Sequence, residues 1–195
     1  MKKNISNQMW FVFEDSEIYN FIKGFDDVTD EWLDKAKPGN GNVIDANYFS
    51  EDAKNKYYVD GKNVVLDYSQ QELEVAKWLI DTFGGIVYML PRINEPSGIK
   101  TADYLWNNEK WDLKYTTSKS KWAIDYLVKN KQKQSNNFII DISYSPLSIQ
   151  EILFQIKAIY INKSRNWIDK IIIKNNKEII CVFIRKESDH NTNAS

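Results

Sequence analysis

The segment Thr101–Lys114 constrains the fold of this chain more than any other, because it has the pattern of a β-hairpin with a defined register. Asn107 and Asn108 lie at its centre, and Asn tolerates the positive φ angles of a two-residue type I′ turn. With this turn, Trp106 pairs with Glu109. Counting outward from this pair then gives the partner of every other residue in the hairpin.

This register gives the hairpin one apolar and one polar face, since side chains alternate along a strand. The side chains predicted to enter the core are Ala102, Tyr104, Trp106, Trp111, Leu113 and Tyr115. The opposite face carries Asp103 directly across from Asp112, together with Lys114 and Thr116. Facing like charges destabilise a sheet. A sheet selected for stability alone would avoid this pair, which therefore indicates a functional site.

The chemistry of such a site has more than one interpretation. A carboxylate can transfer a proton while Lys114 stabilises the charge of a phosphorane-like transition state. Two close carboxylates, Asp103 and Asp112, can instead hold a divalent metal. A third interpretation is an exposed charge cluster that solvent screens and that has no catalytic role. The residues by themselves leave these alternatives open.

A lysine-rich segment follows the hairpin and is predicted as a helix over Lys119–Lys133. Dense lysines with interleaved aromatic side chains are typical of surfaces that contact phosphates and stack on bases. The substrate-binding candidates are Lys119, Lys121, Lys131, Lys133 and Trp122. A solvated helix face with Trp122 in the core is the alternative. Gln134 follows, as either a substrate-orienting amide or a helix C-cap.

The net charge of −1 conceals an asymmetry between the two halves of the chain. Residues 1–99 contain ten basic and seventeen acidic side chains, whereas residues 100–186 contain sixteen basic and eight acidic ones. A basic half favours a polyanionic partner such as nucleic acid, and the acidic half suggests shielding or a protein contact.

The order of elements predicts an α+β domain around one sheet: strand, helix, three strands, helix, strand, helix, two strands. Capping boxes at Ser69–Glu72 and Ser148–Glu151 begin two of the helices. We predict an acidic N-terminal appendage or subdomain at residues 1–60, the main domain at residues 61–186, and a disordered tail at residues 187–195.

Several classes of site and location are disfavoured. Cys181 is the only cysteine and lies in an apolar run, and the only histidine, His190, lies in the polar tail. No phosphate-binding glycine loop, Cys/His metal cluster or Ser-His-Asp pattern is visible. We expect no signal peptide and no membrane association, so the expected site of action is the cytoplasm, reached by a delivery route that the sequence leaves open.

Several short motifs occur in an order that resembles one family, the C-terminal tRNA-nuclease domains of CdiA-type contact-dependent inhibition proteins. Similar domains are attached to phage head-morphogenesis proteins. The resemblance covers roughly residues 62–186. The segments that carry it are Val64–Ser69, Glu74–Ala76, Phe83–Gly85, Leu90–Arg92, Ala102–Asp103, Trp111–Lys114, Lys133–Asp141 and the last two strands.

This resemblance implies a barnase/EndoU/colicin/RelE-like fold, with a mostly antiparallel central sheet and about three flanking helices. It also implies cofactor-free cleavage of tRNA by 2′-hydroxyl attack, and an immunity protein as partner. Carried over by position, the catalytic residues are Asp103, Asp112, Lys114, Gln134 and, more weakly, Thr116. The lack of a histidine outside the tail departs from the acid–base residue that many such ribonucleases use.

The same residues also resemble the P-D-(D/E)-x-K nucleases, which have an αβββαβ core. Ala102 stands where that motif often has Pro. This alternative implies that Asp103 and Asp112 hold Mg²⁺ and that Lys114 positions the attacking water, with DNA as a substrate. A non-catalytic phage structural or accessory module is the third hypothesis for the function.

Overall fold

A computed structural model describes residues 25–52 and 54–186 of the chain. Its centre is an eight-stranded sheet with the strand order β1-β12-β11-β10-β9-β8-β6-β2. Two further two-stranded sheets pair β3 with β4 and β5 with β7. The strands are β1 (Phe25–Asp27), β2 (Gly41–Asp45), β3 (Tyr48–Ser50), β4 (Lys56–Tyr58), β5 (Val64–Val65), β6 (Gly85–Met89), β7 (Arg92–Ile93), β8 (Tyr104–Trp106), β9 (Glu109–Tyr115), β10 (Asn137–Asp141), β11 (Lys170–Asn175) and β12 (Glu178–Arg185).

Helices cover both faces of the large sheet. In the described residues they are α1 (Thr29–Lys35), α2 (Gln70–Phe83), α3 (Ala123–Val128) and α4 (Ile149–Ile161), followed by a 3₁₀ turn at Lys163–Arg165. Side chains of α1 and α2 enter one apolar cluster, and those of α3 and α4 enter another on the opposite face. The predicted central sheet with flanking helices is thereby confirmed.

The direction of the strand pairs makes the large sheet mixed. Strands β9, β10 and β11 run parallel, as do β2 and β6, and the other pairs are antiparallel. From Gln70 to Asp141 the elements that enter this sheet or cover it follow the order helix, three strands, helix, strand. This is the αβββαβ order of the alternative core.

The predicted hairpin is confirmed at its turn. Asn107 and Asn108 have φ angles of 52° and 61°, and Trp106 pairs with Glu109 as the turn requires. Four of the predicted core side chains are buried on the α2 side: Tyr104, Trp106, Trp111 and Leu113. Tyr115 was predicted to be buried with them and is 54% exposed, because it lies at the end of β9, beyond the helix that covers the sheet.

Local sequence signals set the ends of the two long helices. Ser69 accepts a hydrogen bond from the main-chain N–H of Glu72, and Glu72 reaches back to Ser69, which completes the predicted capping box. Ser148 and Glu151 do the same for α4. Helix α2 ends at Gly84, whose φ of 81° favours glycine. A Cβ atom there would lie 2.4 Å from the carbonyl oxygen of Lys37.

Strands β1 and β2 show that the predicted appendage is not a separate subdomain where the structure describes it. Strand β1 pairs with β12 at one edge of the large sheet, and β2 pairs with β6 at the other edge. The pattern of residues 25–45 is too short and polar to reveal these long-range pairings. Residues 1–24 of the predicted appendage and the predicted tail at residues 187–195 lie outside the described residues.

Residues 28–40 connect β1 to β2 and run across the sheet as a strap. At one end, Val28 and Thr29 hydrogen-bond to the main chain of Val182 in β12. At the other end, the main-chain N–H groups of Lys37 and Gly39 donate to the last turn of α2. Trp32 lies between them, with its ring 6.0 Å from that of Trp106 and 6.3 Å from that of Trp111.

No helix in the described ranges combines the length and the apolar character that a membrane crossing requires.

We predict that Phe25→Ala lowers the free energy of unfolding by about 3–5 kcal/mol, because Phe25 is 3% exposed, stacks on Tyr160 and packs edge-to-face against Phe183. Urea unfolding measures this. Phe154→Ala is the matched control, since Phe154 is 67% exposed and its loss leaves stability nearly unchanged. Equal stability of the two variants would show that β1 is not part of the cooperative fold.

Candidate active site

Asp103 occupies an irregular position at the start of the hairpin. The predicted strand over Lys100–Trp106 begins only at Tyr104. The main-chain N–H of Asp103 donates to the carbonyl of Trp111 at 3.1 Å, and its Oδ2 accepts from the main-chain N–H of Leu113 at 2.6 Å. A side-chain oxygen thus replaces a main-chain acceptor in the ladder. This exchange directs the carboxylate of Asp103 toward β9.

Asp112 and Lys114 form an ion pair within the sheet. Oδ2 of Asp112 lies 2.6 Å from Nζ of Lys114, and Asp112 is fully buried. The same Nζ donates to the carbonyl of Leu113 at 3.0 Å. The side chain of Lys114 keeps 16% exposure, so its ammonium group lies at the boundary between the buried carboxylate and solvent. The interpretation as a solvent-screened charge cluster is therefore wrong.

The carboxyl groups of Asp103 and Asp112 interact directly. Burial, and then the charge of Asp112, raises the pKa of Asp103 to about 8, against the opposing effects of the Leu113 N–H and of Lys114. At neutral pH Asp103 is accordingly mostly protonated. This is the form of a carboxyl group that can act as an acid.

A cleft of about 260 Å³ opens beside Asp103. Its lining combines the N-terminal turn of α2, the β7 region and the segment that precedes β8. The residues are Asp67, Tyr68, Glu72, Leu90, Arg92, Ile93, Ile99, Lys100, Thr101, Ala102, Asp103 and Gln134. The amide of Gln134 donates to the carbonyl of Thr101 at 3.3 Å. The structure thus brings Gln134 and Asp103 into the same cleft.

Thr116 has a different place from the other predicted catalytic residues. It is buried, and its hydroxyl accepts from the main-chain N–H of Ser118 at 3.0 Å. Ser118 and Ser120 accept in the same way from the residues two positions later. The hydroxyl of Thr116 is therefore engaged in the turn that leaves β9, and the structure does not place it in the cleft.

The predicted helix over Lys119–Lys133 is wrong at both ends, because only Ala123–Val128 is helical. At its start, side-chain oxygens of Ser and Thr bind nearby main-chain N–H groups and compete with helix formation. At its end, Asn130 adopts a φ of 63°. Of the predicted substrate-binding residues, Lys119 and Lys121 lie in the loop before α3, and Lys131 and Lys133 lie in the turns after it. Trp122 is 49% exposed, which favours its interpretation as a surface residue.

Four charged residues of the cleft were not among the predicted site residues: Asp67, Glu72, Arg92 and Lys100. Glu72 was assigned only to its capping box, and it keeps that role. Arg92 pairs with Asp67 at the rim of the cleft. Asp67, Glu72 and Arg92 lie far from Asp103 in the sequence, so no local signal indicates that they share its cleft.

The described residues contain no group of three or more His, Cys, Asp or Glu side chains arranged to hold a metal ion. Asp103 and Asp112 nonetheless match a common mode of Mg²⁺ binding, in which one or two carboxylates act together with water and substrate phosphate. Oδ1 of Asp112 has no hydrogen-bond partner among the described residues. The two carboxylates are therefore the residues that would hold a magnesium ion in the metal-dependent alternative.

Comparison with known proteins identifies one part of the chain. Residues 100–179 match the model of the contact-dependent growth inhibition CdiA C-terminal domain. This segment runs from the start of the hairpin into β12 and includes Asp103, Asp112, Lys114 and Gln134. Residues 100–179 are thus similar to the CdiA C-terminal domain, which confirms the resemblance seen in the sequence.

Among solved structures, a CdiA-CT/CdiI toxin and immunity complex from Burkholderia pseudomallei is similar, with 22% sequence identity and a TM-score of 0.45. The match covers 60% of this chain and 83% of that one. Among curated proteins, none matches the chain.

We predict that the free energy of unfolding falls as the pH rises from about 4 to about 8, owing to Asp103. In this window the folded protein binds one more proton than the unfolded chain, since only the folded state raises the pKa of Asp103. Asp103→Asn removes the titrating group and makes the pH profile of urea unfolding flatter. Asp34→Asn, an exposed change on α1, keeps the wild-type slope. Parallel profiles for wild type and Asp103→Asn would contradict the raised pKa.

Proposed function

We propose that this chain is a nuclease toxin that cleaves RNA, with tRNA as its substrate, without a metal ion. The match of residues 100–179 to the CdiA C-terminal domain supports the toxin class. The observation that carries the chemistry is the protonated Asp103 beside the buried Asp112–Lys114 pair at the edge of a cleft. Because tRNA lies in the cytoplasm, that compartment is the proposed site of action.

The proposed reaction needs a base, a cation and an acid. The 2′-hydroxyl loses its proton as its oxygen bonds to the adjacent phosphorus, and the bond from phosphorus to the 5′-oxygen breaks. The leaving 5′-oxygen takes a proton, so the products are a 2′,3′-cyclic phosphate and a 5′-hydroxyl. A fixed cation is needed for the negative charge that develops on the phosphorane-like transition state.

The residues of the site divide these tasks by their exposure and charge. Lys114 is the cation, because its ammonium group reaches the boundary with solvent. Asp103 is the acid, because its raised pKa keeps it protonated at neutral pH. Asp112 is fully buried and acts as a positioning residue for both. Glu72 lines the same cleft and is the proposed base.

The substrate contacts of the proposal follow the exposed basic loops. Lys119, Lys121, Lys131 and Lys133 neutralise phosphates, and Trp122 stacks on a base. Gln134 lies in the cleft with Asp103, where its amide can orient a phosphate or a base edge. Thr116 takes no part in the reaction and supports the loop that carries the first two lysines.

We predict that the purified chain cleaves total tRNA in the presence of EDTA, and that Lys114→Ala and Asp103→Asn each lower the rate about 100-fold or more. Denaturing gels with end-group analysis measure this and identify the cyclic phosphate. Asp103→Asn leaves the Asp112–Lys114 pair in place and is the safer variant for folding, which circular dichroism checks. Lys35→Ala, on the exposed side of α1, is the control that keeps full activity.

Loss of all cleavage in EDTA, with recovery on adding Mg²⁺, would replace this proposal with the metal-dependent alternative. If wild type leaves tRNA and DNA intact with and without the ion, the chain is not a nuclease. Toxicity that survives both site variants would indicate a non-catalytic module.

The metal-dependent nuclease is the second candidate function, and the αβββαβ order around the site favours it. In this case Asp103 and Asp112 would hold Mg²⁺, which supplies the charge stabilisation and lowers the pKa of the attacking water. Lys114 would orient that water, and DNA becomes a substrate because no 2′-hydroxyl is needed.

Glu72 offers a test that separates catalysis from helix capping. We predict that Glu72→Gln lowers the rate of tRNA cleavage by about 100-fold, while the melting temperature stays nearly unchanged, because Gln also completes a capping box. Glu151→Gln makes the same change in the capping box of α4, away from the cleft, and keeps full activity. Full activity of Glu72→Gln would exclude Glu72 as the base.

A toxin of this kind requires a partner that protects the producing cell. We propose an immunity protein with an acidic surface, because residues 100–186 carry sixteen basic and eight acidic side chains. Such a partner would inhibit by covering the lysine-bearing loops next to the cleft.

A further inference from the structure

Helix α3 exposes two aromatic side chains on one side. Trp122 at its N-cap is 49% exposed and Tyr126 is 60% exposed. Residues four positions apart lie on the same side of a helix, so both side chains are presented on one side of α3. Ile124 and Val128 are fully buried in the core beneath the same helix. The helix thus divides into a core side and an uncovered aromatic side.

The structure holds this short helix firmly in place. A helix of six residues is unstable alone. Asp125 binds Arg165 through two hydrogen bonds of 2.9 and 3.0 Å. Gln155 of α4 accepts from the main-chain N–H of Ile124 at 3.0 Å and donates to the carbonyl of Ser120. A planar contact with two parallel hydrogen bonds fixes the orientation of both partners. Helix α3 and its aromatic side chains are therefore held in a defined position.

Helix α3 belongs to the layer that covers the sheet face bearing the proposed catalytic pair. In the parallel register Asp112 is the partner of Phe138, which lies in the same apolar cluster as Ile124 and Val128. The side chains of Asp112 and Lys114 therefore project toward the layer that contains α3. A nucleic-acid strand bound at Lys114 therefore has helix α3 as its neighbour.

The charges around the rings favour a polyanion as the occupant of this surface. Nζ of Lys121 lies 5.5 Å from the ring centroid of Trp122. Lys119, Lys129 and Lys133 are exposed at the two ends of the helix. Exposed rings beside several ammonium groups match the alternation of bases and phosphates in a nucleic-acid strand.

We propose that Trp122 and Tyr126 form a stacking platform for unpaired bases, so that the substrate is held through a single-stranded stretch rather than through a duplex. Aromatic rings stack only on base faces that are not already covered by neighbouring bases, as in loops and ends. This inference rests on the proposed nucleic-acid substrate and adds the structural class of the bound stretch.

The test measures binding without cleavage. The full chain is titrated, in EDTA, against a fluorescent single-stranded DNA oligonucleotide and against the same oligonucleotide annealed to its complement. Such DNA has no 2′-hydroxyl, and EDTA removes the ion that the alternative mechanism needs, so neither mechanism destroys the probe. Anisotropy gives both affinities.

We expect Trp122→Ala and Tyr126→Ala each to weaken single-strand binding about tenfold and to leave duplex binding within about twofold of wild type. Trp122→Phe keeps most of the affinity, because it keeps a stacking face. Phe154→Ala and Tyr144→Ala remove equally exposed rings elsewhere and change neither affinity.

Unchanged single-strand affinity in both alanine variants would overturn the platform and leave this surface to a protein partner. Equal losses of affinity for the single strand and for the duplex would also overturn it. They would show a contact that does not distinguish unpaired bases from paired ones. The outcome is separable from the proposed function: a chain that shows the selective loss but leaves tRNA intact keeps the platform and loses the activity.

Discussion

The buried carboxylate of Asp112 is the constraint on which the rest of the site depends. An ionised carboxylate without water costs several kcal/mol unless a cation and hydrogen bonds compensate for it. Lys114 provides the cation at 2.6 Å from a position two residues along the same strand, hence on the same face. Apolar residues of similar volume can stabilise a sheet as well as a buried ion pair does. The pair is therefore better explained by its effect on Asp103 than by stability.

Local signals made the centre of the fold predictable. The Asn-Asn turn fixes a register within a few residues, and the alternation of the hairpin then places each side chain on a face. The prediction that Asp103 and Asp112 meet needed nothing more distant than this turn. The two capping boxes are equally local, because each closes over four consecutive residues.

The features that escaped prediction depend on distant parts of the chain or on competing short-range bonds. Glu72 reaches the cleft only because α2 packs beside the segment before β8, which the sequence does not encode locally. The lysine-rich stretch has the composition of a helix, yet hydroxyl groups from Thr116 to Ser120 bind its first N–H groups and delay the helix to Ala123. Strand β1 has three residues, and only its partner β12 defines it.

The strap from β1 to β2 links the two outer edges of the large sheet. Eight strands at a spacing of about 4.8 Å place those edges roughly 34 Å apart along the sheet, yet the chain joins them through residues 28–40 alone. One stretch of backbone therefore crosses a face of the sheet and joins its two edge strands. Displacing either edge strand therefore moves the strap and disturbs the packing of Trp32 on the rings of Trp106 and Trp111. The strap thus couples the two edges to each other, while β1 and β2 each keep one side without a strand partner among the described residues.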